Sequence, residues 1–195
     1  MQEFIQLRIS LNKSNPLIWR LILLHRDSTF FELHHIIQIT MGWQNYHMYE
    51  FNLEGYRIGQ IFEDEKSHGY GSDSVLDAKT IKLKDVVTPK GDVIKYEYDF
   101  GDGWEHSIVV EENNNAEQQC YPVCIDGQMA CPPEDCGGIH GFYGYLDILN
   151  DKKHPEHKEM VRWFPKNYNS ANFDKERVNT QLTKLDKYID KWLKG

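Results

Sequence analysis

The stretch YEYDFGDGWEHSIVVEE, residues 96–112, decides the fold. Tyr96, Tyr98 and Phe100 alternate on one arm, and Trp104, His106 and Ile108 on the other. A repeat of two residues is the mark of a strand with one buried face. Between the arms, Gly101-Asp102-Gly103 supplies residues that tolerate positive φ, so the two arms, 93–99 and 104–111, are expected to close as an antiparallel hairpin. In such a turn an aspartate accepts hydrogen bonds from nearby backbone N–H groups. That reading explains Asp99 and Asp102 without any ligand.

Working outward, EFIQLRISL (3–11) alternates, and residues 16–24 form a more apolar strand after the turn residues NKSNP. Thr29 opens a helix through a Thr-x-x-Glu capping box with Glu32. Phe30, Leu33, Ile36 and Ile37 give that helix one apolar face, and Gly42 ends it. Residues 46–53 return to strand alternation, with Gly55 at a turn. Residues 59–71 read as a long polar, Gly-rich loop, 80–87 as a short segment of undecided type, and 113–119 as a polar loop. Helical patterns then cover 142–150, 155–164 and 174–193. In the last, Val178, Leu182, Leu185, Ile189 and Trp192 share a face and Asp174 is the N-cap.

Strands first and helices later predict an α+β fold. A mainly antiparallel sheet built from hairpins carries helices on one face and a helical C-terminal third. The 195 residues fit one domain: a sheet-rich part to residue 112, a Cys/Pro/Gly-rich segment at 113–138, and helices from 139.

The formal net charge is −8. An acidic surface repels a phosphate backbone, so direct nucleic-acid binding is disfavoured in the absence of a local basic face. No basic n-region with an apolar core opens the chain, and Arg20 interrupts the longest apolar stretch. A cytoplasmic protein with no membrane segment is the expectation. The four cysteines are then expected to be reduced. They stand as C-x3-C-x6-C-x4-C at positions 120, 124, 131 and 136, without a C-x2-C knuckle. Buried free thiols are the first reading, and a structural zinc on Cys124, Cys131 and Cys136 the alternative.

Asp99-Phe100-Gly101 also spells the metal-binding tripeptide of protein kinases, but the other kinase motifs are missing and the chain is too short for that fold. A metal reading has a different basis. Asp99, Asp102 and His106 at one sheet edge, His47 from the strand at 46–53, and Glu134 and Asp135 after the stiff Pro132-Pro133 offer hard oxygens and imidazoles. Such a set suits a divalent ion that activates water, provided that at least three side chains reach roughly 2 to 2.6 Å from one point. No His-x-x-x-His signature is present.

The order of motifs resembles the plasmid pRiA-type open-reading-frame-three-like family, also called TnpR-like passenger proteins of insertion elements. The matching pieces are PLIWR (16–20), TFFELHHIIQITMGWQNYHMYEF (29–51), YEYDFGDGWEHSIVVE (96–111), YPVCIDGQMACPPEDCGGIHGF (121–142) and FDKERVN (173–179). The resemblance implies a link to mobile elements and brings no catalytic residues, because the family is functionally uncharacterised. It also sets Cys120 outside the shared pattern. The residues give no support to a resolvase: neither a serine among arginines nor an Arg/His/Tyr set on a basic surface is evident.

Of the functions these residues allow, the first is favoured, because turn chemistry explains the motif without an ion, and the second is the alternative. The first is a non-enzymatic binding or adaptor module that engages a protein partner through aromatics such as Trp43, Tyr46, Tyr49 and Tyr70. No cofactor is needed for it. The second is a metal-dependent hydrolase or nuclease-like enzyme built on the YDFGDGWEH and CPPEDCGG motifs.

Overall fold

A computed structural model describes residues 3–61, 75–87, 93–111, 122–166 and 168–194. The strands are β1 (Phe4–Leu11), β2 (Trp19–His25), β3 (Tyr49–Leu53), β4 (Tyr56–Gly59), β5 (Leu76–Asp77), β6 (Val93–Tyr98), β7 (Trp104–Glu111) and β8 (Val123–Gln128). The helices are α1 (Phe30–Met41), α2 (Leu83–Val86), α3 (Gly138–Asn150), α4 (His157–Trp163), α5 (Lys175–Leu182) and α6 (Leu185–Leu193). The strands form one sheet in the order β5-β4-β3-β6-β7-β1-β2-β8, antiparallel except for the short β4–β5 pair. The α+β expectation holds: α3 to α6 follow the last strand, while α1 and α2 lie between strands. Among the described residues, no helix is long and apolar enough to cross a membrane. The polar stretches 62–74 and 112–121, with Tyr70 and Cys120, lie outside the described residues.

The opening hairpin forms as read. Tyr98 pairs with Trp104, Tyr96 with His106 and Ile94 with Ile108. Tyr96, Tyr98, Trp104, His106 and Ile108 are all buried, whereas Phe100 has left the strand and is 51% exposed. Positive φ falls on Asp99 (55°) and Gly103 (63°), not on Gly101. An aspartate tolerates this conformation because its side chain can bond locally. Here Asp99 Oδ1 accepts from the Gly101 and Asp102 amides at 3.0 and 3.4 Å.

Helix α1 starts with the expected capping box: Thr29 Oγ1 accepts from the Glu32 amide at 3.1 Å, and the Thr29 amide donates to Glu32 Oε2 at 2.7 Å. The periodicity predicts one buried face, yet every residue of α1 except Glu32 is buried. The cause is a third layer. One side of α1 rests on the sheet, where His34 stacks on Tyr49 at 3.5 Å. The other side meets α5 and α6, where His35 packs edge-on against Trp192 at 5.2 Å. The helical pattern over 174–193 is two helices. The Lys184 amide bonds back three residues to the Gln181 carbonyl at 2.9 Å, and the tightened turn breaks the axis. Buried Leu182 and Leu185 anchor both sides of the break.

Candidate metal centre

Strand order creates the site. Because β3 lies beside β6, with Tyr49 opposite Tyr98, the residues entering β3 run past the turn that leaves β6. The Asp99 amide donates to the Met48 carbonyl at 2.9 Å and fixes that crossing. His47 therefore faces the turn that holds Asp99.

The segment 131–137 then folds back onto both. Trp43 Nε1 donates to the Pro132 carbonyl at 2.9 Å. Glu134 receives two bonds, from the Tyr98 hydroxyl at 2.5 Å and from the Gln44 amide at 2.8 Å. The Tyr98 hydroxyl also accepts from the Tyr46 amide at 3.0 Å, so one phenol ties the arm to the loop before His47. Burial first, and then the Glu134 carboxylate, push the Tyr98 phenol far above its ordinary pKa, so it stays a donor. Asp102 Oδ2 accepts from the Gly137 amide at 3.2 Å.

Two glycines allow this docking. A Cβ on Gly138 would lie 2.2 Å from the Asp102 carbonyl oxygen, and one on Gly141 would lie 1.9 Å from that of Cys136. Gly138 also has φ +67°. Helix α3 begins at Gly138, four residues before the expected helix, because Gly138 and Gly141 serve close contact in addition to the left-handed reversal at Gly137 and Gly138. Gly138→Ala is expected to cost about 2–3 kcal/mol, from left-handed strain plus overpacking. Urea denaturation followed by tryptophan fluorescence measures it, and a change below about 0.5 kcal/mol would show that the arm does not press on the turn.

The outcome is a convergence of His47, Asp99 and Asp135, whose ligand atoms all lie within 4.8 Å of one another. His47 Nε2 stands 3.0 Å from Asp135 Oδ1 and 3.5 Å from Asp99 Oδ2. Neither contact has hydrogen-bond geometry, and Nε2 is a buried atom without a hydrogen-bond partner. Asp99 is 8% exposed and divides its work: Oδ1 binds its own turn while Oδ2 faces the imidazole. The Asp135 side chain is 66% exposed, so the cluster opens to solvent on that side. Asp135 also sits at φ 57°. One nitrogen and two carboxylates form a donor set for a divalent ion, with solvent-facing positions left for water or substrate.

The remaining candidates are placed elsewhere. Asp102 and Glu134 are taken up in holding the arm. His106 points into the core: its Nδ1 bonds the Trp104 carbonyl at 2.9 Å, and its ring meets Trp43 edge-on at 5.4 Å. Burial lowers its pKa to about 4, so the ring is neutral. Cys124, Cys131 and Cys136 are buried free thiols, as the first reading expects. Burial pushes their pKa values up to about 11, 12 and 12, which keeps them protonated. Among the described residues, no group of three or more His, Cys, Asp and Glu ligands includes a cysteine. Of the aromatics considered for a partner, Trp43 and Tyr49 are buried and Tyr46 is 70% exposed. Trp43, Gln44 and Tyr98, which position the site, carry no signal of that role in the sequence.

Residues 3–180 match the model of a family described as "Plasmid pRiA4b ORF-3-like protein". The chain is 33% identical over 191 residues to "Uncharacterized protein y4hQ" of Sinorhizobium fredii, spanning 96% of this chain and 93% of that relative. Its fold is similar to the crystal structure of a protein of unknown function, MM3350, from Methanosarcina mazei Go1. There the TM-score is 0.78 and the identity 31%, covering 89% of this chain and 96% of the other. With the family model spanning nearly all of its length, the chain belongs to the plasmid pRiA4b ORF-3-like family.

Proposed function

We propose that this protein binds a divalent transition-metal ion through His47, Asp99 and Asp135 and uses it in hydrolytic chemistry. The observation that carries the reading is the buried, unpartnered Nε2 of His47 facing two carboxylate oxygens from separate segments. A mixed nitrogen and oxygen set suits Zn²⁺ or Mn²⁺ better than Ca²⁺, which takes all-oxygen cages. When bound, such an ion lowers the pKa of a coordinated water and polarises an acyl or phosphoryl oxygen. The residues around it hold the ligands still: Asp99 through its turn, Asp135 through the anchored Glu134, and His47 through the Tyr98 bond to its neighbour.

Calorimetric titration of chelator-treated, tag-free protein with ZnCl2 and MnCl2 tests the reading. One site is expected for the wild type, and His47→Ala is expected to weaken it by more than about 100-fold, beyond what loss of an outer partner costs. Asp151→Asn, at the exposed C-terminal end of α3, should leave it unchanged. Equal affinity in the wild type and His47→Ala would remove the reading.

A binding module remains the second reading, with its own support. Tyr46 and Met48 flank His47 in the chain, Phe100 follows Asp99, and the three are 70%, 45% and 51% exposed. Exposed apolar side chains beside a polar cluster are what a partner or a substrate would cover.

A further inference from the structure

A second feature lies apart from the metal ligands. A cavity of about 690 Å³ is bounded by the end of α1, residues 42–44, Ala130, Cys131, residues 172–174 and the α5–α6 pair. That size is ordinary for a small-molecule site. Met41, Phe173 and Tyr188 give it apolar walls. Arg177, Lys184 and Lys187 give it a cationic side, and Arg20 lies beneath with its guanidinium stacked on Phe173 at 4.0 Å. Among the described residues, Asp174 is the one acidic residue in the lining, and its Oδ1 is engaged as the α5 cap by the Arg177 amide at 2.9 Å.

Two observations mark this cavity. The chain carries a net charge of −8, so three cations around one cavity run against its overall sign. Among the described residues, none of Arg177, Lys184 and Lys187 has a carboxylate within 4.0 Å. Unpaired cations beside apolar walls complement a molecule with an apolar body and an anionic group.

We propose that this cavity binds a small organic anion, its apolar body against Met41, Phe173 and Tyr188 and its charged group among Arg177, Lys184 and Lys187. The break between α5 and α6 has a purpose in this account. It turns Lys184 out at the corner while Leu182 and Leu185 stay buried beneath it. The site stands whether or not His47 binds a metal.

The probe is 8-anilinonaphthalene-1-sulfonate, compared with N-phenyl-1-naphthylamine, which has the same rings without the sulfonate. Fluorescence titration is expected to show one sulfonate-dye site, at least about tenfold tighter than binding of the neutral amine. The double variant Arg177→Glu/Lys187→Glu should lose at least about tenfold in dye affinity and keep its affinity for the amine. Lys152→Glu/Lys153→Glu, on the exposed α3–α4 connection, and His47→Ala should bind the dye as the wild type does. Circular dichroism checks that each variant folds, and the two-dye comparison on the wild type stands without any variant. Equal affinity for the two dyes would overturn the proposal, as would an unchanged affinity in the folded double variant or an equal loss in the Lys152/Lys153 control.

Discussion

Acidification from pH 7 to pH 5 is expected to remove about 5 kcal/mol of folding stability, through three buried histidines. His34, His35 and His106 are each at most 1% exposed. Burial holds the pKa of His34 well below its ordinary value of 6.5, and those of His35 and His106 at about 4. Their neutral rings are also used. His34 joins the Tyr96 hydroxyl at 2.8 Å to Asn45 Oδ1 at 2.7 Å, and His35 Nδ1 bonds the Phe31 carbonyl at 2.8 Å. In the unfolded chain these imidazoles take up protons below about pH 6.5, while in the folded chain His35 and His106 refuse them until near pH 4 and burial holds His34 neutral well below 6.5. A depressed histidine pKa therefore contributes stability that is present above pH 6.5 and lost as the pH falls through the window beneath it. Each ring adds a slope of about 1.4 kcal/mol per pH unit, set against a total stability of about 5–15 kcal/mol for a domain. Urea midpoints at pH 7, 6 and 5 measure the effect. His106→Leu should reduce the slope by about one proton. A flat profile between pH 7 and pH 5 would show that the rings are protonated in the folded state.

Replacing Arg20 with methionine is expected to cost about 3–5 kcal/mol, because it leaves buried backbone carbonyls without their donors. Arg20 is 1% exposed and lies in β2, with no carboxylate partner among the described residues. Its charge is met by backbone oxygens: Nε donates to the Thr40 carbonyl at 2.8 Å, one terminal nitrogen to Trp19 and Gln128 at 2.7 and 2.8 Å, and the other to Met129 at 2.9 Å. One guanidinium thus ties β2 to the end of α1 and to the end of β8. Methionine fills the volume but leaves those carbonyls short of a donor, at about 1–3 kcal/mol for each one that stays dry. Lysine, with a point charge and no planar fork, should recover less than half of the loss. Thermal and urea unfolding measure both variants, and a loss under about 1 kcal/mol for Arg20→Met would mean that water replaces the guanidinium.

Local chemistry made part of this fold legible. The capping box at Thr29 and the alternation in β6 and β7 each act over a few residues and form as read, whereas in the turn between them the left-handed residues are Asp99 and Gly103, and Asp102 accepts from the distant Gly137 amide instead of a turn amide. His106 could have been set aside from the edge site on the same grounds. It shares strand parity with Trp104 and Ile108, so it points inward with them. Other features depend on distant neighbours. The burial of both sides of α1 follows from α5 and α6 docking over it. The run Gly137-Gly138 signals a turn, while the reason for Gly138 is the Asp102 carbonyl, 36 positions earlier in the chain. Arg20 reads as an interruption of an apolar strand, because nothing in its flanks announces four waiting carbonyls.

The candidate site follows the same division. Its three ligands stand out as residue types, yet six acids and imidazoles were equally eligible. Strand order selects His47 by laying β3 beside β6. The Asp102–Gly137 and Tyr98–Glu134 bonds select Asp135 by returning the arm to the turn. The same bonds spend Asp102 and Glu134 on architecture. Asp99 serves both purposes, one oxygen to its own amides and one toward His47.

Anomalous difference density from crystals equilibrated with MnCl2 tests the metal centre most directly. The account predicts one peak bonded to His47 Nε2 and to carboxylate oxygens of Asp99 and Asp135, at about 2.0–2.3 Å from each. Crystals that take up manganese only at other sites, with His47 Nε2 bonded to a protein acceptor, would contradict it.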